Sequence, residues 1–446
     1  MLGMTLYAAM RMLSTTSTEH ALIYIIGAVA CILAFLNEEL AVHFLIIAML
    51  LSPEIDTGSK TEGGTLGRAV TLRVDDFMLL IICVTWFIKS VLYKEIGLLK
   101  HTPLNGAMYW YSFAALFSTM LGMLAGNVDP KSGFLFVLKY FEYFMIFWMV
   151  VNTVRDKDQI KRFMFVALMV ALLTSAIAIT QIPQGVRVSA PFEGEHGEPN
   201  TFGGYLLFML SILGAFVLID NEYRWPAAIL GLILLVAFTY TLSRASYLGF
   251  IVVAIALPAL TRRYILLVAV IIVGLVLILT AQQVLPTAVY DRIAFTVNQR
   301  SQSSQVTLLG RRIDTSTSAR LLYMQAAIDA FLQKPLFGYG VTGWHFLDSQ
   351  YFRSLSETGL FGFSTFIFLL YRVMQVGFTT LRKVGDQDPK YLALSAGFLA
   401  GTFGLMVHAI GSNTFIIVRV MEPFWLVCAL VYVLPQVVMT PDKEPA

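Results

Sequence analysis

The sequence predicts an all-α polytopic membrane protein: a bundle of about twelve to fourteen transmembrane helices carrying one large helical loop outside the bilayer. Three observations lead there. Apolar residues make up 57% of the 446 positions and charged residues only 13%, against about 25% charged in an ordinary soluble domain. Apolar stretches of roughly 18 residues or more recur along the chain, each long enough to cross a bilayer core. Lys and Arg gather in alternate short connections, the pattern of a chain that threads a membrane with its positive loops on one side.

Taken in order, spans are expected near 21–37, 39–52, 76–93, 105–125, 133–153, 160–180, 202–219, 225–241, 246–261, 264–285, 355–378, 391–412 and 414–436. The first two are short, the turn Asn37-Glu38-Glu39 between them is tight, and residues 1–14 could add or replace a helix. That first stretch lacks a basic region, apolar core and cleavage site in succession, so a cleaved signal peptide is not expected. Arg155, Lys157, Lys161 and Arg162 make the most basic loop. It shares parity with Lys94/Lys100, Arg262/Arg263 and Arg382/Lys383/Lys390, and this side is assigned to the cytoplasm. The other side carries 52–75, 126–132, 181–201, 242–245 and the long segment 286–354.

The chain thus divides into an N-terminal bundle (1–285), the large loop (286–354) and C-terminal helices (355–446). Sixty-odd residues are too many for a structureless connection. Within them Leu321, Leu322, Met324, Ala327, Ala330 and Phe331 recur at helical spacing up to Lys334-Pro335 and Gly338, which predicts an amphipathic helix on the outer face. No internal repeat is present. The net charge of +3 comes with no basic block, so nucleic acid is not an expected partner. Cys31, Cys83 and Cys428 sit in apolar runs without disulfide or metal spacing and read as small core residues.

Five ionisable residues lie inside expected spans, within roughly 6–14 Å of the outer boundary at 1.5 Å per residue: Lys139, Glu142, His408, Arg419 and Glu422. Lys139/Glu142 and Arg419/Glu422 have i,i+3 spacing and share a helix face. Such groups cost at least a few kcal/mol in a bilayer unless paired or hydrated. Either they are two self-satisfied ion pairs that fix packing, or they line a polar cavity open to the outside. Three outer loops add Arg187, Arg244 and Arg320. Asn200-Thr201 and Ser243 are candidate N-caps nearby. Arginines beside helix N-termini make an anion site, and their fork suits phosphate; each alone could equally be a snorkelling surface residue.

The ordered set KYFEYF (139–144), RVSAPFEGEHGEPNTFGGYL (187–206), TLSRASYLG (241–249), SARLLYMQAAIDAFLQKPLFGYG (318–340) and DSQYFRSLSETGLFG (348–362) resembles the O-antigen ligase and polymerase superfamily of bacterial envelope glycosyltransferases. The resemblance spans roughly residues 70 to 435. It implies a GT-C-type membrane enzyme of the bacterial inner membrane with its active site facing the periplasm. Its donor would be a glycan on undecaprenyl pyrophosphate, its acceptor a glycan or lipid-core sugar hydroxyl, and a chain-length regulator is a candidate partner beside the membrane lipids. Arg187, Arg244 and Arg320 would engage the pyrophosphate. The family pattern puts a His near the end of the large loop as base; here Asp348 occupies that position and His345 lies three residues earlier. Asp348 is therefore the candidate base, with His345 as alternative or helper; in the other reading Asp348 only caps the helix starting near Gln350. Glu357 could hold Arg353 by i,i+4 pairing or position another residue of the site.

Inverting displacement would need neither metal nor cofactor, and the Asp-x-Asp triplet at 386–388 is expected to be a solvated loop on the basic side. Polymerisation of lipid-linked repeat units is the leading expectation, because the family's His is replaced. Ligation to lipid A core is the first alternative. A lipid-linked-glycan flippase is the second, although it should show repeats and a polar path through both leaflets.

Overall fold

The computed structural model describes residues 32, 37–55, 72–73, 76, 78–80, 82–84, 100–192, 197–298, 306–308, 311–312, 314–345, 347–385 and 387–439. The expectations for residues 1–14, for nearly all of the span 21–37, for most of the span 76–93, and for Cys31 and Asp386 lie outside the described residues. Within them the protein is a multi-pass helical bundle in which eight helices are long and apolar enough to cross a membrane.

The α-helices of the described residues are, in chain order, α1 (Glu38–Leu51), α2 (Asn105–Leu124), α3 (Pro130–Thr153), α4 (Lys157–Ile179), α5 (Pro199–Ile219), α6 (Arg224–Tyr240), α7 (Arg244–Leu260), α8 (Tyr264–Val284), α9 (Thr287–Asn298), α10 (Thr315–Gln333), α11 (Gln350–Val384), α12 (Pro389–His408) and α13 (Val418–Met439), and the eight are α2–α5, α8 and α11–α13. The two short apolar helices α6 and α7 reach about 26 Å each at 1.5 Å per residue. Two antiparallel two-residue ladders pair β1 (Glu54–Ile55) with β2 (Leu72–Arg73), and β3 (Thr307–Leu308) with β4 (Arg311–Arg312).

Local chemistry starts the helices. Asn37, Asp129, Asp156, Asp314 and Asp388 each turn a side-chain oxygen onto backbone N–H groups of the first turn. Pro follows the cap at 130, 199 and 389, where its missing N–H costs nothing. Asp388 accepting from the Lys390 N–H at 2.8 Å gives the Asp-x-Asp stretch a plain capping duty. Ser243 caps α7 as the sequence suggests, whereas α5 starts at Pro199 behind Glu198, one residue before the expected Asn200 cap.

Helices α5, α12 and α13 form the buried centre, with α7 against α12 and α3 and α11 against α13. In a bilayer this packing rests on van der Waals contact, so small residues matter. A Cβ on Gly249 of α7 would come 2.7 Å from the Gly404 carbonyl of α12, a contact only two glycines permit. Helix α8 buries nothing against the rest of the chain and is apolar all round, as a lipid-facing span should be.

Connections sort to two ends. At one, Lys100 reaches the Val151 carbonyl and Lys390 pairs with Glu222. At the other, Arg187 reaches Thr241, Arg244 reaches Asp314, Arg320 reaches Asp348, and the Gln350 N–H reaches Ala409. The parity read from the loops therefore holds as geometry.

Two expectations change. The last long helix before α12 begins at Gln350 instead of 355 and breaks at Gly359 (φ 63°, ψ −165°). Residues 335–340 dock on the opened turn: the N–H groups of Tyr339 and Gly340 donate to Ser356 and Glu357, while those of Leu360 and Phe361 donate to Pro335 and Leu336. The loop thus satisfies the backbone groups that the break frees. In α10, Ala327 and Ala330 are buried and Leu321, Met324 and Phe331 partly so, but Leu322 is exposed. It lies about 200° round the helix from Arg320, away from the inward stripe.

Candidate active site

One end of the bundle gathers the first turns of α5, α7 and α11 together with α10. Arg187 comes from the link between α4 and α5. Its guanidinium donates to the Thr241 carbonyl at 3.0 Å, to the Leu242 carbonyl at 3.4 Å and to Asn200 Oδ1 at 3.1 Å. Leu242 is held at φ 50°, which turns this short link back on itself. Two residues on, Arg244 makes a forked ion pair with Asp314 at 2.8 and 3.3 Å. Asp314 is fully buried and also caps α10 through the N–H groups of Ser316 and Thr317. One carboxylate therefore ties the start of α7 to the start of α10. Burial alone would raise its pKa, but hydrogen bonds from Arg244 and Thr317 outweigh it and hold the carboxyl at about 2.

Less than two turns along α10, Arg320 Nη2 sits 3.2 Å from Asp348 Oδ2. Asp348 is 40% exposed. Its neighbours are pinned: the Leu347 carbonyl accepts from Asn413 at 2.6 Å, and the Gln350 N–H donates to Ala409 and Ser412. The N-cap of α11 is Ser349, with no side-chain capping bond, so Asp348 faces Arg320 and leaves the expected capping role unfilled. His345 is exposed, edge-on to Trp344 at 5.3 Å; among the described residues it makes no hydrogen bond to Asp348 or to the arginines.

The cluster contains a residue that sequence reasoning passed over. Arg292 of α9 acts electrostatically on Arg187, and Arg244 and Arg320 act on Arg292. Burial first, then Arg292 and Arg320, pull the Arg187 guanidinium down to about 10. Asp314 was missed as well. An Asp ahead of a Thr-Ser-Thr run was a readable cap signal, but its pairing with Arg244 joins residues 70 positions apart.

Glu357 belongs elsewhere. Buried in α11, it accepts from Arg353 Nε at 3.0 Å and from the Thr342 N–H at 3.0 Å. The i,i+4 pair with Arg353 is thus present, and the carboxylate anchors the loop that leads to His345 and Asp348 rather than facing the arginines.

Of the five polar residues, Lys139, Glu142 and Glu422 are linked through Asp76 and Arg73, whose backbone N–H donates to Asp76 at 2.9 Å. His408 stands at the arginine end, its Nδ1 2.7 Å from Thr414 Oγ1 and its ring against Gly204 of α5. Lys139 pairs with Glu142 at 3.0 Å, as i,i+3 spacing predicts, and with Asp76 at 2.5 Å. Arg419 and Glu422 take separate partners despite the same spacing. Glu422 pairs with Arg73 at 3.1 Å, while Arg419 donates to the carbonyls of Leu50, Ser52, Pro191 and Phe192. Arg419 finds its acceptors, and Glu422 its donor, on neighbouring stretches of chain. Among the described residues, no three His, Cys, Asp or Glu side chains gather to hold a metal ion.

Arg187 donates to carbonyl and amide oxygens, Arg244 and Arg320 hold carboxylates, and guanidiniums grouped in this way can bind an anion. Asp348 beside them is a carboxylate within reach of solvent. No curated protein matches the chain. A family model described as O-antigen ligase matches residues 229–367, which run from α6 through the break in α11 and include Arg244, Arg292, Asp314, Arg320, Asp348 and Glu357. That match supports the O-antigen ligase and polymerase superfamily for this chain, and with it a glycosyltransferase-like type of activity.

Proposed function

We propose that the protein transfers a glycan from undecaprenyl pyrophosphate to a sugar hydroxyl at the arginine end of the bundle, on the periplasmic side of the inner membrane. The observation that carries this reading is the grouping of Arg187 and Arg244 with Arg320, which itself holds the exposed Asp348. The arginines bind the donor's diphosphate. Because the diphosphate competes with Asp348 for Arg320, donor binding frees the carboxylate. Asp348 then takes the proton of the acceptor hydroxyl, whose oxygen attacks the anomeric carbon. The bond from that carbon to the diphosphate oxygen breaks, and its electron pair leaves with the lipid diphosphate. The guanidiniums neutralise the growing charge, and the anomeric configuration inverts. Base assistance of this kind contributes about 10²–10⁴-fold.

Polymerisation of lipid-linked repeat units is the preferred form, since Asp stands where the ligase pattern has His. Ligation to a lipid A core sugar is the second reading, favoured by the description of the matching family. Incubating purified protein with undecaprenyl-pyrophosphate-linked oligosaccharide separates them. A ladder of products supports polymerisation, transfer only to an added core lipid supports ligation, and absence of both with either acceptor overturns the proposal.

A further inference from the structure

Arg292 lies in α9, the short helix that follows the lipid-facing α8 and packs beside α6. It is partly buried, and its Nε is a buried donor with no hydrogen-bond partner. A buried donor left unsatisfied is destabilising, and more so for a charged group. Arg244 and Arg320 act on it as like charges, Asp314 offsets them in part, and Arg187 lies within the same field. The neighbouring carboxylates are already engaged: Asp314 grips Arg244 in a fork and Asp348 grips Arg320. Arg187 spends its donors on neutral carbonyl and amide oxygens. Four guanidiniums against two carboxylates leave two positive charges at one end of the bundle. A diphosphate diester carries about two negative charges and many acceptor oxygens, the ligand that such a surplus fits.

We infer that Arg292 is a fourth diphosphate-binding residue, one that positions the donor headgroup from the α8–α9 side. This rests on the donor site proposed above. Helix α9 directly follows a helix that faces lipid along its whole length, so the grip joins the headgroup site to the membrane in which the carrier's chain lies. The residue binds and orients, and no proton transfer is assigned to it.

The test uses the full chain in lipid nanodiscs, comparing wild type with Arg292→Ala, Arg292→Gln and Arg292→Lys. The donor KM is expected to rise about ten- to a hundredfold in the Ala and Gln variants, with kcat changed less and partial recovery in the Lys variant. Gln keeps the side chain's bulk, so it reports on charge even where Ala disturbs folding. Protection against thermal unfolding by inorganic pyrophosphate, weakened in Arg292→Gln, supports a site for the bare headgroup. Protection by lipid-linked diphosphate alone, equally weakened, supports a site that also needs the lipid. Unchanged donor KM and protection in Arg292→Gln, while Arg187→Ala is impaired, overturn this inference alone. Unchanged behaviour in both variants overturns the donor site with it.

Discussion

Asp314 shows how one side chain can carry both a fold and a site. Its carboxylate is wholly buried, caps α10 and holds Arg244. Because its folded pKa, about 2, lies below the ordinary 3.8, the interaction stabilises the protein fully above pH ~4 and is lost as pH falls through about 2. The depression corresponds to on the order of 2 kcal/mol. Thermal unfolding of the detergent-solubilised protein should show wild type losing its advantage over Asp314→Asn across that window, and an advantage independent of pH would contradict the assignment. At the same scale, Asp348→Asn is expected to lower turnover about 10²–10⁴-fold while donor binding persists or tightens, since Arg320 is then released. Loss of binding together with turnover would point to a structural role. Arg187→Ala, Arg244→Ala and Arg320→Ala should each impair donor use in folded protein, which size-exclusion profiles and donor titration check together. Arg187, Arg244, Arg320 and Asp348 were legible as residues. Arg292 and Asp314 were not, because a lone Arg in a long loop and an Asp at a helix start look the same whether or not they meet a partner in space.

At the scale of elements, the break in α11 is the feature that shapes the site. Gly359 takes a left-handed φ that other residues adopt only under strain, and a Cβ there would sit 2.5 Å from the Leu336 carbonyl group. Glu357, two residues earlier, holds Arg353 and the backbone of Thr342. Glu357→Ala would strand the buried Arg353, and a cost of about 3–5 kcal/mol is expected. The double change Glu357→Gln with Arg353→Met should recover part of it. Chemical denaturation of wild type and the two variants measures this, and a Glu357→Ala protein as stable as wild type would deny the anchor. The expected start of this helix at 355 fell five residues late. Its first turns carry Ser, Arg and Glu, which read as a polar loop until a docked segment is there to bury them.

For the whole molecule, the bundle places the polar connections that carry the arginines at one end and the basic loops at the other. Single cysteines introduced near Arg187, Arg244 and Arg320 should label together with an impermeant reagent added outside intact cells, and those near Arg262 and Lys383 only after permeabilisation. Labelling of the three arginine loops from different sides would remove the donor site. The charges around Lys139 and Glu422 are linked through Asp76 and Arg73, and Arg419 donates to carbonyls of α1 and of the α4–α5 link.

Membrane character, nearly all the described spans, the two-ended sorting of loops and the cap at Ser243 follow from the chain itself, because hydropathy, loop charge and capping act over a few residues. Who pairs with whom is different. Arg244 with Asp314, Arg320 with Asp348, Glu422 with Arg73 and Arg419 with four carbonyls depend on how helices far apart in the chain come to lie side by side. A charged group in a low-dielectric bundle takes whichever partner the packing brings within about 3 Å, and that choice belongs to the tertiary structure alone.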